Sequence, residues 1–199
     1  MITNRMIDIT FYPNNICLLF SGGIDSSLIF YLVAKEIQEK YFDKSLTLYV
    51  IDRYNRPLNH AYRVHDLLCK KLNTNKFKLN TVEIPSSENF EEIKILSKLL
   101  KSQNIHDILL CGINKYPDDV SIRPKFIADF VETNFVKYPL KDYTKDIIID
   151  QFYQLGIEDI LPHTHSCGLN NDTPCGKCFN CRERAWAYNR LNLTTNLGK

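Results

Sequence analysis

The chain lacks any apolar run of membrane-spanning length, so none of its 199 residues reads as part of a transmembrane helix. It also lacks a charge surplus. A formal net charge of +2 gives no broad electrostatic field for nucleic acid or an anionic membrane surface. Met1 to Phe11 carries Asp8 inside what would be the apolar core of a leader, so no signal peptide is expected and a cytoplasmic setting is. Internal repeats and low-complexity linkers are missing too. What remains is the length of one compact domain with room for a small appendage. In a reducing compartment its seven cysteines argue for metal or free thiols, not a disulfide framework.

The most informative stretch is Leu18-Leu19-Phe20-Ser21-Gly22-Gly23-Ile24-Asp25-Ser26-Ser27. The apolar residues Ile16 to Leu19 lead into it as a strand ending near Phe20, and Leu28 to Ile37 continue it as an apolar helix from about Ser26 to Gln38. Two glycines allow a tight turn and close backbone approach to a ligand. The amides of such a turn, backed by a helix N-terminus, cradle an anion. Ser21, Ser26 and Ser27 add hydroxyls. A carboxylate such as Asp25 suits that place only if a hard cation accompanies the anion, which points to a pyrophosphate with magnesium. A plain helix cap by Ser26 or Asp25 would need fewer glycines and serines than stand here. No lysine follows the glycines, so the Walker pattern is excluded.

Strands and helices then alternate. Ser45 to Ile51, Phe77 to Ile84 and Asp107 to Cys111 read as strands; Asn59 to Leu72 and Phe90 to Leu100 read as amphipathic helices. An edge strand over Ile7 to Phe11 is expected before Pro13. The fold class implied is α/β, a doubly wound, mostly parallel sheet covered on both faces. In such sheets ligands bind past the strand C-termini. Asp52, Gly112 and the polar loop that runs through Asp118, Asp119 and Arg123 therefore face the expected crevice. Pro124 to Val131 reads as a short helix, and Tyr143 to Leu155 as a longer one capped by Gly156. Lys145 sits in the first turn of that helix, where the dipole disfavours a cation, and this marks it as a functional lysine.

Near the C-terminus Cys167, Cys175, Cys178 and Cys181 are spaced C-x7-C-x2-C-x2-C, followed by a helix over Arg182 to Leu191. Four thiolates suit tetrahedral Zn2+, and a site filled by four protein ligands is structural. An iron–sulfur cluster is the competing reading. His163 or His165 could substitute for a cysteine, but the spacing favours four cysteines. Core packing accounts for Cys17 and Cys69; Cys111, at a strand end facing the crevice, is a candidate for chemistry by position only.

SGGIDSS resembles the loop of the N-type ATP pyrophosphatases, the PP-loop superfamily. The order of SGGIDS, a polar loop after the fourth strand, RPKF, a PL…K step and SC…PCGKCFNCRERA resembles 7-cyano-7-deazaguanine synthase over nearly the whole chain. That resemblance implies ATP and Mg2+ as cofactors and a structural Zn2+. It implies adenylation of the carboxylate of 7-carboxy-7-deazaguanine with release of pyrophosphate, then attack by ammonia with release of AMP to give an amide, which a second ATP dehydrates to the nitrile. It places Ser21, Gly22, Gly23, Asp25 and Ser26 at the phosphates, and Arg123 and Lys145 near the substrate; Phe20, Ser27, Asp52 and Gly112 join the candidate nucleotide contacts, and Asp25, Ser26, Arg123 and Lys145 are the candidate catalytic residues. Residues 1–160 would form the ATP-binding domain, and residues 161–199 a zinc knuckle and helix packed on it. Two stretches depart from the family: Asp52-Arg53-Tyr54-Asn55-Arg56-Pro57 and the short Pro85-Ser86-Ser87-Glu88-Asn89. A more open substrate wall keeps other readings in play. One is a divergent, phage-defence-associated relative joining a deazaguanine to a protein amine. Another is a tRNA-thiolating enzyme, against which the charge balance argues, and a third is a non-catalytic nucleotide-binding module. A homodimer stays open.

Overall fold

Near-continuous apolar runs in the central strands, buried on both faces, decide the architecture. The computed structural model describes residues 7, 9, 13–52, 58–84, 91–117, 132–168 and 173–194. In order they form β1 (Asn15–Leu19), α1 (Ile24–Glu39), β2 (Ser45–Asp52), α2 (Asn59–Lys71), β3 (Leu79–Glu83), α3 (Glu91–Gln103), β4 (Ile108–Cys111), β5 (Val136–Lys137), α4 (Lys145–Gln154), a 3-10 helix (Glu158–His163) and α5 (Phe179–Arg190). The strands make one sheet in the order β3-β2-β1-β4-β5, with every pairing parallel.

Side chains alternate across each strand, so the sheet has two cores. Ile16 and Leu18 of β1, Leu48 and Val50 of β2, and Ile108 and Leu110 of β4 pack with α1, α2, α4 and α5. Cys17, Tyr49, Ile51, Leu109 and Cys111 point to the other face, against Leu96 and Leu100 of α3. This places Cys111 in the core, 1 % exposed and away from the cleft, contrary to the position expected from its strand end. Burial pushes its thiol pKa up, so it is held as the unreactive acid.

Several boundaries differ from the sequence reading. α1 begins at Ile24, not Ser26, because the extended backbone of Gly23 (φ −82, ψ 169) serves as the cap. α4 begins at Lys145 after Thr144, since Tyr143 is still held in a turn by Leu140. α5 begins at Phe179, not Arg182, with Cys178 as its cap and Phe179 packed on Tyr116 at 4.6 Å between ring centroids. β5 and the 3-10 helix were not foreseen. A two-residue strand has no periodicity to read and exists through its register with Leu109 and Leu110. Gly156 does end α4, with φ +67. The expected edge strand over Ile7 to Phe11, the stretches 53–57 and 85–89, the helix over 124–131, and Asp118, Asp119 and Arg123 lie outside the described residues, apart from Ile7 and Ile9. No helix among the described residues is long and apolar enough to cross a membrane.

Candidate functional site

β1 connects outward to β2 and β3 on one side, and the chain then crosses to β4 on the other. The sheet therefore reverses its winding between β1 and β4, the point at which open parallel sheets bind ligands. The cleft there has a volume of about 310 Å³. Its lining comes from strand C-termini: Leu19 from β1, Val50 and Ile51 from β2, and Gly112 to Asn114 after β4.

The glycine turn forms one wall. Gly22 has φ +70, and a Cβ there would lie 2.7 Å from the Cα of Ala61, so only glycine fits. A Cβ on Gly112 would come within 2.9 Å of both Asp25 Cβ and Ser26 N; the end of β4 passes the turn at backbone distance. The Ser26 hydroxyl accepts from Ser21 N at 3.2 Å and donates to Gly23 O at 3.2 Å, bracing the turn from within. Ser21 Oγ accepts from Gly23 N at 3.3 Å. No side chain caps α1, so first-turn amides of a 16-residue helix are available to an anion. His60 Nε2 bonds Ser21 O at 3.1 Å, and His165 N donates to Gly22 O at 3.1 Å, so two histidines flank the turn.

The floor is charged. Lys145 Nζ donates to both carboxylate oxygens of Asp25, at 2.6 Å to Oδ1, and to Asn114 Oδ1 at 3.3 Å. Glu183 Oε2 lies 3.5 Å from the same ammonium, and Glu183 Oε1 accepts from Asn114 Nδ2 at 2.7 Å. Burial alone would lower the Lys145 pKa; the two carboxylates outweigh it and hold the ammonium above its ordinary value. Glu183 is raised, first by burial, with Lys145 pulling the other way. Tyr116, also in the lining, is raised by burial and by the charges of Glu183 and Asp25.

Of the residues singled out from sequence, Ser21, Gly23, Asp25, Gly112 and Lys145 line the cleft together. Phe20, Gly22, Ser26, Ser27 and Asp52 do not present side chains to it. Phe20 packs edge-on against Phe30, Ser27 is fully buried with a hydroxyl that has no partner among the described residues, and Asp52 lies beyond Val50 and Ile51 on β2.

Cys167, Cys175, Cys178 and Cys181 converge, with all four sulfurs within 4.8 Å of one another. They could hold a metal ion. Cys178 Sγ lies 3.9 Å from Cys167 Sγ, and Cys175 Sγ 4.0 Å from Cys181 Sγ. The amides of Cys178 and Lys177 donate to Cys175 Sγ and lower its pKa. Burial pushes Cys181 up to about 12; a bound cation would oppose this, because the thiolate is the ligating form. The cluster adjoins the cleft, since Cys167 and Gly168 line it.

Residues 97–192 match the family model described as queuosine biosynthesis protein QueC. The chain is 27% identical to 7-cyano-7-deazaguanine synthase of Prochlorococcus marinus (strain MIT 9515), with 90% of this chain and 95% of that one covered. It is 24% identical to the synthase of Persephonella marina (strain DSM 14350 / EX-H1), with 90% and 94% covered. These matches support a QueC-like protein of the PP-loop superfamily. Among solved structures it is similar to the U34-tRNA thiolase NcsA from Methanococcus maripaludis with its [4Fe-4S] cluster, at 15% identity and a TM-score of 0.50. The match covers 89% of this chain but only 64% of the thiolase, and at that identity it speaks to the fold.

In this QueC-like chain the matched segment holds Asn114, Lys145, the four cysteines and Glu183. Sequence reasoning passed over Asn114 and Glu183, and also over Arg184, whose guanidinium donates to Thr164 O at 2.9 Å and Leu161 O at 2.7 Å. The available signal was weak. Three charged residues, Arg182, Glu183 and Arg184, follow Cys181 on a helix that must bury one face, and helical spacing alone does not say which of them turn inward.

Proposed function

We propose that the chain uses ATP to activate the carboxylate of 7-carboxy-7-deazaguanine, that ammonia displaces AMP to give the amide, and that a second ATP activates the amide oxygen so that it leaves and the nitrile forms. The observation that carries this is the uncapped glycine turn facing the Asp25–Lys145 pair at the point where the sheet reverses. A carboxylate becomes an electrophile only when one oxygen is made a leaving group, and adenylation supplies AMP as that group. Ser21, Gly22, Gly23 and the first-turn amides of α1 would take the phosphates, with Gly112 allowing close approach. Asp25 is the carboxylate placed to ligate Mg2+, which neutralises charge building on pyrophosphate. Lys145 stands where charge develops on the reacting carboxylate. Arg123 would join it.

Residues 1–160 act in this reading as the ATP-binding domain and residues 161–199 as its knuckle. The four cysteines fit a single tetrahedral ion. Thiolates at 2.3 Å from Zn2+ stand about 3.8 Å apart, close to the 3.9 and 4.0 Å separations here. A four-iron cluster attaches each thiolate to a different iron and spreads them further. We therefore assign zinc in a structural role.

The test is mass spectrometry after incubation with ATP, Mg2+, ammonia and 7-carboxy-7-deazaguanine. A product with nitrile in place of carboxyl, with AMP formed, is expected. Accumulation of amide alone, or turnover only with a partner protein, would replace this reading with that of the conjugating enzyme. AMP formed on tRNA and not with the acid would move the chain to the thiolases.

A further inference from the structure

Lys145 is only 4 % exposed, and all its described acceptors are oxygens of Asp25, Asn114 and Glu183. When all three charged groups are ionised, two carboxylates share one ammonium and the floor of the cleft carries one net negative charge. Beside a turn built for an anion, that charge is unfavourable unless a hard cation arrives with the phosphates.

The two carboxylates are not equivalent. The Asp25 side chain is 19 % exposed and stands at the glycine turn. The Glu183 side chain is 3 % exposed and is fixed by the Asn114 amide at 2.7 Å. Asp25 is free to exchange its partner; Glu183 is not. A buried ammonium left without a counter-charge would be strongly disfavoured, so Asp25 can leave Lys145 only if another anion stays behind.

We propose that Glu183, oriented by Asn114, is a positioning residue that retains the Lys145 ammonium when Asp25 turns to the cation accompanying ATP. The proposal rests on the ATP reading above. It also gives the cysteine cluster a consequence at the cleft. Cys181 lies two residues before Glu183 and Cys178 caps the same helix, so the knuckle sets the place of the retaining carboxylate.

The retaining role predicts a difference in sign that general damage to the fold does not. Neutralising Glu183 ties Lys145 more tightly to Asp25 and removes the excess negative charge, so nucleotide carrying Mg2+ should bind less well. Nucleotide without Mg2+, more negative, should bind equally well or better. The experiment is calorimetric titration of the full chain, with its cysteine-bound metal confirmed, using α,β-methylene-ATP with and without Mg2+. In Glu183→Gln the Mg2+ complex should bind about tenfold more weakly, the scale of one hydrogen bond to a charged group, while the metal-free nucleotide holds or gains affinity. Asn114→Ala, which approaches from the loop after β4 and leaves the cysteine-bearing helix untouched, should show the same split. It decides the matter if Glu183→Gln does not fold. Equal weakening of both forms, or no change in either, overturns the proposal. Wild-type protein that binds neither form overturns the ATP reading and this proposal with it.

Discussion

Asp25 and Gly112 meet in the lining of the cleft, and each is replaceable only at a defined cost. Asp25→Asn preserves shape and removes the charge that pairs with Lys145 and would ligate Mg2+. AMP formation should fall on the order of 100-fold or more, with the circular dichroism spectrum unchanged; wild-type rates would remove Asp25 from the site. Gly112→Ala acts sterically. Its methyl would stand 2.9 Å from Asp25 Cβ and from Ser26 N, both within the braced turn. Relieving such a clash costs about 1–3 kcal/mol. Because the strain falls on the turn, the KM for ATP should rise several-fold while the cysteine cluster keeps its metal. Kinetics and metal analysis on one preparation check both halves.

At the scale of elements, β5 and α5 are held in place from outside themselves. β5 is fixed by the turn before it. Glu132 Oε1 accepts from Tyr138 N at 3.0 Å, and Lys141 Nζ donates to Glu132 Oε2 at 2.6 Å. Burial would raise the Glu132 pKa, but Lys141 and the Tyr138 amide outweigh it and hold the carboxyl below its ordinary 4.5. For an acid with a depressed folded pKa, the stabilisation is complete above the unfolded value and is lost as pH falls through the folded one. Wild-type protein should therefore lose this contribution below about pH 4.5, and Glu132→Gln should lack it at pH 7. The pair is partly solvent-screened, so the difference in urea unfolding free energy should stay below about 1 kcal/mol. α5 depends on Cys178, which is both a sulfur of the cluster and the helix cap. Cys178→Ser should lose the metal and loosen α5 together, because a structural ion contributes its binding energy to folding. Elemental analysis with hydrogen exchange over residues 179–190 tests it; iron instead of zinc in wild-type protein would contradict the assignment.

The whole molecule is stabilised mainly through the sheet's two cores, with β1 at the centre. Leu18 is fully buried in the larger core, the cluster that also holds residues of α1 and α4. Leu18→Ala should destabilise by about 2–5 kcal/mol, a fall in Tm on the order of 10 °C for a chain this size. The C-terminal segment belongs to the same core, since Ala187 and Tyr188 of α5 pack within it and Arg190 pairs with Asp146 of α4 at 3.4 Å. A single thermal transition is expected for wild type and for Leu18→Ala. Two separate transitions would show that the knuckle melts alone.

The sequence by itself determined the features that rest on local pattern. Continuous apolar runs marked β1, β2 and β4, helical spacing marked α1 to α4, and the cysteine spacing marked four sulfurs that do converge. The glycine turn was legible because Gly22 and Gly23 carry their backbone requirement in their identity. Only the tertiary structure decided which charges share a buried space. Lys145 is 120 residues from Asp25 and 38 from Glu183, and no periodicity links residues brought together by parallel strands and a docked helix. The same reason explains Cys111. A strand end looks toward the crevice in sequence, but the parity of β4 in the folded sheet turns that side chain into the core. Glu183 was illegible for a further reason: its burial is tolerable only because Lys145 and Asn114 meet it there, and that compensation exists only in the folded chain.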